Sequence, residues 1–277
     1  MDAVSGVSAE VAAALRDLAA ASARLMALLP GEAPPRGGSL TVIGTGIRAM
    51  TQLTAEAMAA IASAEVLVHV IGEPVQEEAL RSINPAAASL THYYADGLER
   101  SATYEAMVQH ILGAAMAGKR TVAAFYGHPG VFTYPSHEAV RRARAAGLPA
   151  RMLAGVSAED CLWADLGIDP GDGCQAYEAT DFLYFDRQVD PRAHLLLWQA
   201  GAIGNVYGSA GYDPGLFPAL VAKLVRTYGP GHVATLYEAP FTAGAPFRAE
   251  PVPVGRLAGW QFTLATTLYV PPLRRAY

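Results

Sequence analysis

The stretch that decides the fold is Ser39-Leu-Thr-Val-Ile-Gly-Thr-Gly46, a short β-branched run that ends in glycines. It predicts a strand over Leu40–Ile43, and Thr54 then opens a helix that runs through Ile61. Val66–Val70 is the next predicted strand. Short strands that alternate with alanine-rich helices are typical of βα units on a mostly parallel sheet. The sequence therefore predicts an α/β protein.

The alternation continues to the end of the chain. Ser157-Ala-Glu-Asp160 is a capping-box pattern, so a helix is expected from there to about Leu166. We divide the chain into an N-terminal α/β lobe over residues 37–156 and a C-terminal α/β lobe over residues 157–277, with a ligand expected in the cleft between them. The other predicted helices are Val75–Ile83, Tyr104–Ala117, Pro135–Ala146 and Pro218–Tyr228, and the other strands are Thr121–Phe125, Ala150–Leu153, His194–Gln199, Val233–Tyr237 and Thr263–Val270.

Residues 1–36 differ in pattern from the rest of the chain and predict one amphipathic helix and a linker. Ser8 can cap the helix, and Pro30 and the Pro34-Pro-Arg-Gly-Gly38 run end it. Two interpretations stay open: the helix docks on its own domain, or it pairs with a second subunit or a partner. Its apolar residues recur at spacings of three, four and seven, and they are Val11, Leu15, Leu18, Leu25 and Leu29.

Composition narrows the class of protein. With 52% apolar and 16% charged residues in 277, the chain is too hydrophobic for disorder, yet it has no clean apolar run that would span a membrane. A formal net charge of -5 argues against a nucleic-acid partner. Cys161 and Cys174 are too few for a disulfide framework or a thiolate metal site, and no secretory signal opens the chain. We expect a cytoplasmic protein.

The sequence lacks the complete motifs of a dinucleotide site, a serine hydrolase and a metal site. Gly44-Thr-Gly46 follows a strand, but Ala49 stands where a dinucleotide fingerprint has its third glycine. Gly155-Val-Ser-Ala-Glu159 resembles a serine-hydrolase elbow except that Glu159 replaces the last glycine. The seven histidines include no i, i+4 pair, so no metal site is predicted.

Two other stretches carry more information. Tyr126-Gly-His-Pro-Gly-Val-Phe132 follows a buried strand and exposes backbone at the edge of the sheet where α/β proteins bind small molecules. Arg100 and Tyr104 lie four apart in a polar loop that enters a helix, so they could act on the same group. For both stretches a purely structural role, a turn or a solvated loop capped by Thr103, is the alternative.

Taken together, several motifs resemble the borosin peptide backbone α-N-methyltransferases, which belong to the tetrapyrrole-methylase-like (class III) superfamily. These motifs are Ser39–Gly46, Tyr126–Phe132, Arg151-Met-Leu-Ala-Gly-Val-Ser-Ala-Glu-Asp-Cys-Leu162 and Leu268-Tyr-Val-Pro-Pro272. The resemblance runs from about Gly38 to Pro272. It implies a two-lobed, homodimeric methyltransferase that uses S-adenosylmethionine and no metal, here with an extra N-terminal helix.

The resemblance also implies site residues. Arg100 and Tyr104 match the family's catalytic pair, with Tyr94 nearby: Tyr104 would remove the proton of a peptide amide, with its phenolate favoured by Arg100, which would also steady the developing imidate oxygen. Thr91 stands where fungal members have a further tyrosine, so Tyr93 or Tyr94 could substitute. The positions that match cofactor-binding residues are Tyr126, His128, Val131, Ala158, Gln199, Ala239, Thr266 and Thr267.

One departure from the family concerns the substrate. Fungal members continue into a tail that carries the peptide to be methylated, whereas this sequence ends at Tyr277. We therefore expect a separate precursor peptide, methylated in trans, which could assemble with the enzyme as a 2:2 complex, and the N-terminal helix is a candidate dimer or docking element. The alternatives are a tetrapyrrole C-methyltransferase of the precorrin or sirohaem type and a non-catalytic peptide-binding module.

Overall fold

A computed structural model describes residues 7–30, 37–94, 100–205 and 215–273. Most of the predicted linker before Gly37 and part of the polar loop before Arg100 lie outside the described residues. The chain forms two compact units. The first contains residues up to Ser157 together with Phe241–Ala243, and the second contains Ala158–Pro240 and the residues from Gly244 onward.

A five-stranded sheet is the centre of the first unit. Its strands are β1 (Ser39–Gly44), β2 (Val66–Val70), β3 (Ala87–Ser89), β4 (Arg120–Phe125) and β5 (Ala150–Met152). They follow the order β3-β2-β4-β1-β5, and every neighbouring pair is parallel. All five carboxyl ends therefore lie at one edge, which is where loops can build a site.

Helices cover both faces of this sheet. The helices of the first unit are α1 (Ala9–Leu28), α2 (Ala55–Ser63), α3 (Pro74–Ile83), α4 (Arg100–Met116) and α5 (Tyr134–Ala145). On one face, α4 and α5 bury Ile111 and Val140 against Val42 of β1. On the other face, Ile61 of α2 and Leu80 of α3 pack with Ile43. Strands buried on both faces explain the continuous apolar runs in the sequence.

Helix α1 docks on its own unit. Ser8 caps it by accepting a hydrogen bond from the backbone N–H of Val11 at 3.2 Å. Leu15 and Ala19 are buried with Met58 of α2 and Ala79 of α3. The first of the two interpretations of this helix is therefore confirmed for the stripe that carries Leu15 and Ala19.

The second unit has a mixed sheet. Its strands are β6 (Cys174–Glu178), β7 (His194–Trp198), β8 (Val233–Glu238), β9 (Arg248–Pro253) and β10 (Thr267–Val270), in the order β6-β7-β10-β8-β9. Only β6 and β7 pair in parallel, and the other three pairs are antiparallel. Its helices are α6 (Ala158–Leu166), α7 (Ala179–Tyr184) and α8 (Leu216–Tyr228).

The structure differs from the sequence-based analysis at four points. The mostly parallel arrangement holds for the first sheet only. Thr263–Thr266 lies outside a strand, because the hydroxyls of Thr263 and Thr266 bond within a turn and to Glu238. Helix α4 begins at Arg100, so Thr103 is inside the helix and donates to the carbonyl of Tyr93 at 3.2 Å rather than capping. Elements β3, β6, α7 and β9 were not predicted.

Among the described residues, no helix is both long and apolar enough to cross a bilayer.

Candidate active site

The loop after β1 is shaped by one glutamine. The side-chain carbonyl of Gln52 accepts hydrogen bonds from the backbone N–H groups of Ile47 and Arg48, both at 2.8 Å. Gly46 takes a positive φ of 73° there. Because Gln52 already occupies these two N–H groups, they do not form an open phosphate cradle, and Gly44-Thr-Gly46 is a structural turn.

The loops after β1 and β4 are joined to each other. Gly46 and Gly127 exchange backbone hydrogen bonds of 3.2 and 3.0 Å. A Cβ atom added at Gly44 would collide with the carbonyl oxygen of Gly127 and with Pro129, and one added at Gly155 would lie 3.3 Å from Gly44 Cα. The absence of side chains at these glycines therefore lets three chain segments meet at the carboxyl edge.

The loop after β4 fixes the orientation of His128. The imidazole Nδ1 accepts a hydrogen bond from the backbone N–H of Gly130 at 2.9 Å. A nitrogen that accepts carries no proton, so the neutral ring has its proton on Nε2, where it can be donated to another group. Residues at the start of α5 hold the same loop, because Ser136 donates to the carbonyl of Pro129 and His137 Nε2 lies 2.9 Å from the carbonyl oxygen of Gly130.

Tyr126 begins this loop and is partly exposed. Its ring stacks on Phe241, with 6.2 Å between centroids and 15° between planes. Phe241 also accepts a hydrogen bond from the backbone N–H of Ala49 through its carbonyl, at 2.8 Å. A short segment from late in the sequence thus belongs to the first unit and supports the loops after β1 and β4.

The predicted catalytic residues come together near the start of α4. Arg100 and Tyr104 are one helical turn apart on the same face of the helix. The ring of Tyr94 meets that of Tyr104 edge to face, with centroids 6.4 Å apart. Tyr134, at the start of α5, stacks on Tyr104 with centroids 6.1 Å apart. Arg100 and three tyrosines therefore gather on the first unit.

Tyr94 is held in its protonated form. Desolvation of its hydroxyl, followed by the neighbouring Tyr104, raises the pKa of Tyr94 to about 12, although Arg100 acts in the opposite direction. At neutral pH this hydroxyl is a hydrogen-bond donor. Tyr93, the other candidate replacement for the family tyrosine at Thr91, has its hydroxyl 3.0 Å from Nδ1 of His110. Of Tyr93 and Tyr94, Tyr94 is therefore the one whose ring contacts Tyr104 of the predicted catalytic pair.

An ion-pair network fixes α4 against α5. The guanidinium of Arg142 donates two hydrogen bonds to the carboxylate of Glu105, at 2.7 and 2.8 Å, and a third to Glu138 at 2.6 Å. Bonds from Arg141 and then Arg142 lower the pKa of Glu138 to about 2. Glu105 follows Tyr104 in the chain, so this network sets the distance between the helices that carry Tyr104 and Tyr134.

The second unit places Gln199, Ala239 and the adjacent Thr266 and Thr267 at one edge of its sheet. Gln199 follows β7 in the left-handed conformation, with φ of 53°, and Ala239 follows β8. Thr267 begins β10 between these strands, opposite Tyr237. Ala158 is the first residue of α6, where the predicted helix start is confirmed.

The hydroxyl of Thr266 already has partners. It donates to the carboxylate of Glu238 and accepts from the backbone N–H of Thr263 at 2.8 Å. Glu238 is in turn bound by Arg248 at 2.7 Å. Thr266 therefore ties the start of β10 to the end of β8.

Sequence reasoning missed several residues that shape these edges. Gln52 and His137 bond to backbone groups four to seven residues away, but no recognised pattern marks them. Phe241 contacts Tyr126 and Ala49, which are distant in sequence. Tyr134 had a usable signal, because an aromatic residue at a helix start directly follows the Tyr126–Phe132 motif. In the part of the chain that the structure describes, no group of three or more His, Cys, Asp or Glu side chains is placed to hold a metal ion.

Comparison with known proteins identifies a family. The model of tetrapyrrole (corrin/porphyrin) methylases matches residues 39–236. A methyltransferase/ribosomally synthesized type I borosin cyclic peptide precursor from Coprinopsis marcescibilis is 39% identical over 248 residues, which cover 87% of this chain and 63% of that protein. The methyltransferase/omphalotin A precursor from Omphalotus olearius is 39% identical over 252 residues, covering 87% and 59%. The chain thus spans about three fifths of the length of these relatives.

Solved structures agree on the fold. Uroporphyrin-III-C-methyltransferase from Thermus thermophilus matches with a TM-score of 0.61 and 21% identity, over 84% of this chain and 92% of that one. A diphthine synthase matches with a TM-score of 0.59 and 16% identity, over 84% and 90%. The predicted tetrapyrrole-methylase-like fold is confirmed.

Proposed function

Because the chain belongs to the tetrapyrrole methylase family, we propose that it is an S-adenosylmethionine-dependent methyltransferase that methylates backbone amide nitrogens of a peptide. The observation that carries this proposal is the group formed by Arg100, Tyr104 and Tyr94 on the first unit. The relatives named as a methyltransferase and a ribosomally synthesized cyclic peptide precursor match 87% of this chain and support the choice of a peptide as acceptor.

The loop after β4 has the chemistry that this cofactor requires. Nε2–H of His128 is a donor suited to a carboxylate, and the ring of Tyr126 is suited to a sulfonium cation or an adenine. A Cβ atom added at Gly72, just beyond β2, would meet nothing within 4 Å, so the carboxyl edge is open at that point. Val131 and the second-unit positions Ala158, Gln199, Ala239, Thr266 and Thr267 complete the proposed set, with Thr266 acting through Glu238. When bound, S-adenosylmethionine supplies an electrophilic methyl group and leaves as S-adenosylhomocysteine.

The chain's own residues must make an amide nitrogen reactive. That nitrogen is a poor nucleophile because its lone pair is delocalised into the carbonyl. The phenolate of Tyr104 accepts the amide proton and becomes a neutral phenol, while the guanidinium of Arg100 stabilises the negative charge that forms on the amide oxygen. Tyr94, protonated because its pKa is raised to about 12, donates a hydrogen bond and does not compete as base.

The proposal extends to the assembly. The enzyme is a cytoplasmic homodimer that acts on a separate precursor peptide in trans, with a 2:2 complex as the expected stoichiometry. Incubation with S-adenosylmethionine and a precursor peptide supplied as its own molecule should give mass steps of about 14 Da, one CH₂ each, localised to backbone amides by tandem mass spectrometry. Methylation only of a peptide fused to the chain would contradict action in trans.

The same experiment separates the alternatives. A tetrapyrrole methyltransferase would bind the cofactor and leave the peptide unmodified, and its preparation would bind a porphyrin. A non-catalytic module would bind the peptide without the cofactor, which calorimetry with S-adenosylmethionine detects. Measurable cofactor binding together with backbone methylation is the result that the proposed function requires.

A further inference from the structure

Helix α1 presents a second apolar stripe that the first unit does not cover. Its six positions are all exposed, with Val11, Leu18, Leu25 and Leu28 between 39% and 82% exposed. The stripe is Val11, Ala14, Leu18, Ala21, Leu25 and Leu28. It lies beside the docked stripe of Leu15, Ala19 and Ser22 and does not overlap with it. Helix α1 also precedes the residues that match the family model, which begin at residue 39.

The spacing of the exposed stripe is that of a coiled-coil seam. Val11, Leu18 and Leu25 are seven apart, and Ala14, Ala21 and Leu28 follow each of them by three. Every a and d position over nearly three heptads is therefore apolar, which is the pattern by which one helix packs against another. An exposed apolar seam of this length is typical of a docking surface.

The charged residues beside the seam indicate which partner it fits. Asp17 and Arg24 occupy g positions beside the seam, are exposed, and form no ion pair with another residue that the structure describes. In an antiparallel pair related by a two-fold axis between Ala19 and Ala20, Leu18 of one copy faces Ala21 of the other. The same register places Asp17 of each copy beside Arg24 of the other, so the seam is complementary to itself in both shape and charge.

We propose that the exposed stripe of α1 is an interface between two copies of this chain, in which the α1 helices pair antiparallel about a two-fold axis. The inference does not depend on the activity proposed above. A parallel pair would leave Asp17 and Arg24 beside uncharged e positions, Ser22 and Leu29, and so lacks the charge complementarity.

Disulfide cross-linking tests the register. A full-length Leu18→Cys chain mixed with a full-length Ala21→Cys chain should cross-link under mild oxidation about tenfold faster than either chain alone, because only the mixed pair brings the two thiols face to face. Ala13→Cys, exposed on another side of α1, is the matched control and reports any contribution of Cys161 and Cys174. Because the substituted side chains are exposed, unchanged circular dichroism should show that all variants fold.

Charge exchange tests the orientation in the same assay. Adding Asp17→Arg to both chains should slow cross-linking about tenfold, since it places two arginines together at each end of the contact. Combining Asp17→Arg on one chain with Arg24→Asp on the other should restore the rate, because opposite charges then face each other again.

Three results would overturn the proposal. Cross-linking of the mixed pair no faster than the Ala13→Cys control would show that the face does not join copies. Leu18→Cys chains that cross-link alone as fast as the mixture would show a parallel or irregular contact. The third result is that no chains cross-link and that added precursor peptide protects the Leu18→Cys thiol. It would show that the seam binds the peptide and not a second copy of the chain.

Discussion

The ring of Tyr134 stacks on the ring of Tyr104, with 6.1 Å between centroids and 28° between planes. Tyr104 is the proposed base, and Tyr134 comes from the next helix, so the orientation of the base is set by tertiary packing. Tyr134→Ala should therefore lower kcat about tenfold by freeing the Tyr104 side chain. Tyr134→Phe keeps the stack and should keep kcat within about twofold. A Tyr134→Ala enzyme with normal kcat and a raised KM would make Tyr134 a peptide-binding residue instead.

Arg100 should be required for chemistry and not for cofactor binding. Arg100→Ala removes the positive charge beside Tyr104, so the methylation rate should fall at least about a hundredfold. Arg100→Lys keeps a positive charge but not the planar guanidinium, so its methylation rate should lie between those of the native enzyme and Arg100→Ala. The measurement is single-turnover methylation followed by mass spectrometry, with the Kd for S-adenosylmethionine from calorimetry as control. A normal rate in Arg100→Ala would end this assignment.

His128 should act through both of its nitrogens. His128→Ala removes the acceptor for Gly130 N–H and the proposed donor to the cofactor, so the Kd for S-adenosylmethionine should rise at least about tenfold. His128→Asn can still accept from Gly130 and should lose less. Calorimetry measures both variants. Equal affinity in the native protein and His128→Ala would show that the loop binds the cofactor without this side chain.

Two buried tyrosines of the second unit should respond oppositely to the same substitution. Tyr228 and Tyr269 are each 6% exposed, but the Tyr228 hydroxyl has no hydrogen-bond partner among the described residues, whereas that of Tyr269 lies 2.7 Å from His194 Nδ1. Tyr228→Phe should raise the free energy of unfolding, by up to about 1–3 kcal/mol, because it removes a polar group buried without compensation. Tyr269→Phe should lower it by about 1–2 kcal/mol, because it leaves His194 unpaired.

Urea denaturation at pH 8 measures both changes. The two tyrosines should also affect the free energy of unfolding at alkaline pH, since burial raises the pKa of each to about 12. The folded state favours the protonated phenols, so the stability that they contribute is complete below about pH 10 and declines as pH rises towards 12. Tyr228→Phe should reduce this decline, and an unchanged alkaline slope would contradict it.

His69 should make the protein sensitive to acid. It is 1% exposed, neither ring nitrogen has a hydrogen-bond partner in the described structure, and burial lowers its pKa, while Glu77 opposes and Arg81 reinforces that shift. The folded state thus favours the neutral ring, and stability should be full above about pH 6.5 and decrease as pH falls below it. His69→Leu should flatten the dependence of unfolding free energy on pH between 8 and 5. His194, whose pKa is also lowered by burial, should leave a residual slope.

The strands and helices of the first unit were predicted from the sequence more accurately than those of the second unit, and the reason is physical. Central parallel strands such as Val66–Val70 are covered on both faces and are apolar throughout, which local patterns report well. Strand β9 contains Pro251 and Pro253, which normally argue against a strand. It forms because it is an edge strand, paired only with β8 within the second sheet. Edge position is a property of the folded sheet and is absent from local sequence.

The candidate site likewise contains contacts that local sequence predicted and contacts that it did not. The four-residue spacing of Arg100 and Tyr104 on one helix face was readable because it depends only on helical geometry. The contacts of Tyr134 and Phe241 were not, because each joins segments whose approach is decided by packing. The contacts of Gln52 were not, because they depend on the conformation of one short loop. Thr266 shows the reverse error: it was included in the predicted strand Thr263–Val270, whereas hydrogen bonds to Thr263 and Glu238 hold it in a turn.

Gly44 ends β1, and Gly127 and Gly155 lie in the segments that follow β4 and β5. These three segments approach so closely that a Cβ atom added at Gly44 would collide with the backbone of Gly127, and one added at Gly155 would press on the backbone of both. Their constraint is collective, since a side chain at one position cannot be accommodated by shrinking a side chain at the others. A smaller neighbouring side chain therefore cannot compensate for a substitution at Gly44 or Gly155, because the nearest atoms there are mainly backbone. Directed evolution towards new acceptors would therefore have to leave this point of contact unchanged and proceed through residues at other positions.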